Sequence, residues 1–172
     1  MNLVIQVLIL FLLGIILYQD FKYRAVVWII FPLLALLFMA LHLTNSSGEI
    51  FIENSLLNVG FLFLQVVMLT MYFSIKAGKV VWIADTYLGW GDICFMLCIC
   101  MFFPPLNYII FFIASLLFAL PVYAVLKAMY GKKVATVPLA GIQAGFLALW
   151  IIFYQSFENY NPANDAWLLE LL

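Results

Sequence analysis

Charge is what this chain has least of: 9% of its 172 residues are Asp, Glu, Lys or Arg. Soluble domains carry about 25%. With an apolar share of 69% and a mean hydropathy of +1.20, the chain is too greasy for a soluble fold of its size. Too much of such a fold's surface must face water. The net charge of −1 leaves no basic footprint for nucleic acid and no acidic tail. Histidine occurs once, as His42. The 3 cysteines, Cys94, Cys98 and Cys100, share one apolar run. They lack the paired Cys-x-x-Cys spacing of a zinc site and the pattern of a secreted disulfide framework, and read as small apolar packing residues. No metal or cofactor is implied. Internal repeats and low-complexity segments are also missing.

What is present is a series of long apolar runs. A membrane span needs about 20 mainly apolar residues, and six can be drawn: 3–19, 25–43, 55–75, 87–103, 106–127 and 134–154. The first has no positive n-region and no Ala-x-Ala site before Asp20, so it reads as a permanent helix rather than a signal peptide. The 7 basic residues then fall on one side: Lys22 and Arg24, Lys76 and Lys79, and Lys127, Lys132 and Lys133. Glu49, Glu53, Glu158, Asp165 and Glu170 occupy the other. Basic loops stay cytoplasmic, so both termini are expected outside the cytoplasm. From Ile93 to Leu126 the chain is almost continuously apolar, with Pro104-Pro105 inside the run. Proline breaks helices, and a tight outer turn there keeps the fifth loop on the basic side. The expectation is an all-α membrane protein, a single domain over residues 1–172, folded as a six-transmembrane-helix bundle.

Three carboxylates depart from the charge pattern: Asp20, Asp85 and Asp92 lie on the basic side. Asp20 closes the first span, and Asp85 reads as a solvated loop residue. Asp92 stands about eleven residues, or about 16 Å of helix, before Pro104-Pro105, roughly half the hydrocarbon thickness. Asp92 then either sits below the membrane surface, where ionisable groups face a bundle interior or a watery cavity, or its helix bends the bilayer locally. Gly89 and Gly91 flank Trp90 just before it, and glycines permit close approach and non-helical dihedrals. Asp20 and Asp92 share a membrane face and can converge between the first and fourth spans. Two close carboxylates hold a single proton between them, the arrangement that activates water on a peptide bond. No competing catalytic set exists: His42 lies on the outer side, beyond reach of the serines.

An Asp at the cytoplasmic end of span one followed by Lys22 and Arg24, with Gly89-Trp90-Gly91-Asp92 entering span four, resembles the type IV prepilin and preflagellin peptidases. These are intramembrane aspartyl proteases of the GxGD type. Val137-Pro138-Leu139-Ala140-Gly141 is similar to the family's Pro-rich motif at the start of the last core helix. The resemblance implies that Asp20 and Asp92 are catalytic and that Gly89, Gly91 and Pro138 shape the substrate site. It implies no metal or cofactor, a cytoplasmic-membrane location with the site near the cytoplasmic face, and a prepilin-like membrane protein as substrate. Two features depart from it: Cys94 stands where many relatives have Lys, and Val26-Val27 carries no proline. The cytoplasmic segment with paired cysteines found in larger members is absent, so peptidase without methyltransferase activity is expected.

Two other functions fit the same residues. One is an inactive membrane scaffold or assembly factor with this fold. The other is a small proton-coupled transporter using Asp20 and Asp92 as relays, which would favour related halves; residues 1–75 and 87–154 show no such similarity. Small residues at four-residue spacing, Ala140-Gly141 and Ala144-Gly145, allow a close helix contact, either internal or between copies.

Overall fold

The computed structural model describes residues 3–43, 48–86, 88–130 and 137–154; the regular structure among them is entirely helical, with no strand. The helices are α1 (Leu3–Tyr23), α2 (Ile30–Leu43), α3 (Gly48–Ala77), the single turn α4 (Ile83–Thr86), α5 (Trp90–Ile99), α6 (Pro105–Tyr130) and α7 (Leu139–Tyr154). α1, α3 and α6 are long and apolar enough to cross a membrane, and α2, α5 and α7 are shorter apolar helices. Exposure follows the logic of a hydrocarbon solvent. Of the 30 residues of α3, only Asn58 and Leu62 are buried, so apolar side chains cover its outside. In water such a helix would be unstable; in lipid it satisfies its own backbone and exposes what lipid tolerates.

The bundle is organised around α7, which packs against α1, α6 and α5. Its contact with α1 is the most extensive in the molecule. A Cβ on Gly145 would stand 2.8 Å from Leu17 Cδ1, so the small-residue stripe of α7 is what lets α1 approach. The stripe seen in the sequence is therefore used inside the chain. α6 lies on the other side of α7, fastened by stacked rings: Phe118 and Phe111 meet Phe146 at centroid distances of 5.2 and 5.7 Å.

The short α5 has an identifiable stop. Pro104 and Pro105 prevent a helix from continuing through them, and the chain turns over residues 100–103. Carbonyls freed by that ending are expensive in a bilayer. Buried Asn58 of α3 meets two of them, its amide nitrogen donating to Cys100 O at 3.1 Å and Phe103 O at 2.7 Å. The break expected at Pro104-Pro105 is thus a real separation of helices, supported from a third helix.

Several boundaries differ from those read in the sequence. α2 starts at Ile30 rather than 25, because the chain first makes a sharp corner. Arg24 adopts a left-handed φ of 55° and its N–H donates to Asp20 O at 3.1 Å, the helix-ending turn more often made by glycine. Gln19 Oε1 then accepts from Val27 N–H at 2.9 Å, holding the corner against α1. α3 begins at Gly48, within the expected outer loop, with Glu49 in its first turn, where a negative charge suits the helix dipole. The fourth apolar run yields only the ten residues of α5. Lys132, Lys133 and the amphipathic tail around Trp167 lie outside the described residues, as does the side chain of Asp85, whose backbone is in α4.

Candidate active site

Asp20 sits one turn from the end of α1, and Asp92 in the first turn of α5. Asp20 is 8% exposed. What joins them is the N-terminus of α7. The first amides of a helix have no partner within it. Leu139 N–H turns back to Val137 O, while the next two amides are taken by the two carboxylates. Ala140 N–H donates to Asp92 Oδ1 at 2.7 Å, and Gly141 N–H donates to Asp20 Oδ2 at 2.6 Å. Consecutive residues have Cα atoms about 3.8 Å apart, so the carboxylates are held side by side. The positive end of the α7 dipole favours negative charge there.

Each aspartate has a further reason for its position. Asp92 Oδ2 accepts from Gly89 N–H at 3.1 Å, the return bond of a capping box at the start of α5. Asp20 is pressed against Gly141, where a Cβ would fall 3.0 Å from both Asp20 Cβ and Oδ2, and 3.1 Å from Phe21 Cδ2. Only glycine lets α7 bring its amide this near to α1.

Asp20, Gly89, Gly91 and Asp92 all border one cleft of about 1070 Å³. Pro138, buried just ahead of α7, does not border it, although its neighbours Val137 and Leu139 do. The two glycines act differently from what their spacing predicts. Gly89 is extended, with φ −71° and ψ 146°, a conformation open to any residue. Its missing Cβ matters because that atom would lie 3.3 Å from Asp92 Oδ2. At Gly91 the nearest atom to an added Cβ is Phe31 Cζ at 3.9 Å, an ordinary contact. Of the two basic residues after Asp20, Arg24 borders the cleft, whereas Lys22 turns to the tyrosines. Its Nζ donates to Tyr18 OH at 2.6 Å and lies 5.1 Å from the Tyr23 ring centroid.

Cys94 also borders the cleft, and Cys98 donates its S–H to Phe31 O at 3.1 Å, a packing role. His42 is buried at the far end of α2, its ring 5.1 Å from that of Phe51. Sequence reasoning placed Ala140 and Gly141 in a motif and a packing stripe but missed their role as donors, and it missed the apolar wall of α6. The first had a signal: a proline before an apolar run marks a helix start, hence free amides. Nothing local marks the second.

No family model matches the chain, nor does any curated protein or solved structure.

Proposed function

We propose that this chain is an intramembrane aspartyl endopeptidase that removes the N-terminal leader of prepilin-like precursors at the cytoplasmic membrane face. In this reading the six apolar helices form the membrane bundle, with the ten-residue α5 reaching about halfway across, both termini lie outside the cytoplasm, and the basic loops and dyad lie inside. The observation that carries the reading is the juxtaposition of two carboxylates from distant helices on consecutive amides beside a large cleft. The pair holds one proton. The ionised carboxylate takes a proton from water as the water oxygen attacks the scissile carbonyl, and the protonated carboxyl hydrogen-bonds the developing oxyanion. Collapse of the tetrahedral intermediate breaks the C–N bond. The departing amine takes a proton from the dyad, which returns to its one-proton state. Neither metal nor cofactor is needed, and methyl transfer is not part of the proposal.

One observation favours a second reading, an inactive scaffold. Both carboxylates already cap α7, and capping alone is a sufficient structural use for them. Asparagine separates the two readings, because its Oδ1 still accepts the hydrogen bond from the α7 amide, although at position 92 the bond from Gly89 N–H is lost, and it cannot serve as an acid or base. The chain would be co-expressed in membranes with a tagged prepilin-like precursor, alongside Asp20→Asn and Asp92→Asn. Cleavage by the unmodified chain that vanishes in both variants, at equal protein levels, supports the peptidase. A scaffold would leave the precursor uncut in every case and keep its assembly role in both variants.

A further inference from the structure

The cleft has a second wall that the dyad does not explain. α5 and α6 are consecutive helices that both touch α7 and α3, yet α5 packs mainly on α2 and α6 mainly on α7. The cleft is bordered by Gly91 and Cys94 on α5 and by Leu116, Leu120 and Tyr123 on α6. Inside α6 stands Pro121. A proline has no N–H, so the carbonyl four residues earlier, that of Leu117, loses its helical donor. Leu117 borders the cleft and is 63% exposed. In apolar surroundings a carbonyl without a donor is costly until one arrives.

Resting on the peptidase reading, we infer that α6 is the docking strip for the unwound segment of a membrane-embedded precursor. The segment enters between α5 and α6, and Leu117 O accepts a hydrogen bond from one of its backbone N–H groups near the scissile bond. The match is chemical. A peptide bond can be cut only after its helix opens, and opening frees N–H groups that hydrocarbon cannot satisfy. The wall supplies an acceptor for one of them, as in strand addition, and Leu116, Leu120 and Tyr123 supply an apolar surface for the side chains. The dyad meets the same segment from the opposite wall. A proline that served only to bend α6 would be indifferent to the precursor's N–H groups.

The test uses the full-length chain in vesicles and a synthetic precursor peptide in which single amides flanking the scissile bond are replaced by esters, each removing one N–H. Pro121→Ala restores an N–H at 121 and lets Leu117 O return to its helical bond. On the all-amide peptide, Pro121→Ala should lower kcat/KM by about 3- to 10-fold, the worth of one hydrogen bond. One ester position should cause a similar loss with the unmodified chain and none with Pro121→Ala, as a coupled pair requires. Equal sensitivity of both proteins to every ester, or an unimpaired Pro121→Ala, overturns the inference. Should Pro121→Ala fail to accumulate, the scan on the unmodified chain decides: one sensitive flanking position supports the inference, and none overturns it. An unmodified chain that cuts no peptide at all removes the peptidase reading itself, a result distinct from a loss confined to Pro121→Ala.

Discussion

The two walls of the cleft are built on opposite rules. On one side α1, α5 and α7 meet through glycines and alanines, with the buried Asp20 and half-buried Asp92 satisfied by backbone partners at 2.6–3.1 Å. On the other, α6 presents large apolar side chains, with Leu117 and Leu120 63% and 65% exposed. In a soluble protein the oily wall would be the inside. Here α1, α2, α3, α5, α6 and α7 are all apolar, so apolarity does not separate core from periphery. Small residues and satisfied polar groups do, because in lipid the gain comes from close contact and hydrogen bonding rather than from escaping water. In the proposed peptidase, the precise wall carries the chemistry and the adaptable wall takes the substrate.

The sharpest way to break this contrast is to alter the dyad. Asp20→Asn and Asp92→Asn should each reduce precursor cleavage by about 10²- to 10⁴-fold, the usual worth of general acid–base catalysis. Thermal unfolding of the purified protein should stay nearly unchanged in Asp20→Asn, whose single bond to Gly141 N–H an amide oxygen can accept, and fall modestly in Asp92→Asn, whose new NH2 must face one of two backbone donors. Gly141→Ala comes next. Alanine gains about 0.5–1 kcal/mol of helix preference over glycine, but overpacking here costs about 1–3 kcal/mol. The neighbouring atoms at 3.0 Å belong to Asp20 itself, so they have little freedom to yield. The cost wins, and cleavage should fall more steeply than stability, seen by comparing initial rates with melting temperature.

Asn58→Ala should destabilise without touching the cleft. It leaves two carbonyls at the end of α5 without their donor, worth about 1–3 kcal/mol, and a denaturant or thermal scan should show that loss with rates on the surviving folded protein little changed. The smallest effect is expected at Gly91→Ala. The nearest atom to the new Cβ is 3.9 Å away, and the position lies in the first turn of α5. Stability and cleavage should both stay close to those of the unmodified chain. A severe loss there would mean that the cleft closes on Gly91 during the reaction, and the division between a precise and an adaptable wall would need redrawing.

Much of the helical pattern was legible in the sequence, because lipid-facing helices advertise themselves by length and apolarity. The break at Pro104-Pro105 was legible too, since proline's missing donor acts locally. Helix ends were less so. Residues 25–29 are apolar enough for a span, but a left-handed Arg24 and the Gln19–Val27 hydrogen bond hold them in a corner. The aspartates stood out as charges in apolar surroundings. The glycines beside Asp92 pointed to the right place for an incomplete reason. The sequence pattern indicated conformational freedom, whereas Gly89 is used for the nearness of a carboxylate and Gly91 has ordinary space around it.

Composition and periodicity by themselves determined that this chain is all-helical and apolar enough for a bilayer, that a helix ends before Pro104, and that Asp20 and Asp92 are unusual. Those properties depend on residues within a turn or two of one another. Tertiary structure alone decided that α1 and α7, from opposite ends of the chain, pack together, and that two free amides of α7 fall onto carboxylates from α1 and α5. Residue spacing carries no record of that meeting. It results from three helices finding the closest approach that Gly141 and Gly145 permit, and a missing side chain shows its purpose only once the neighbour that fills its space is known.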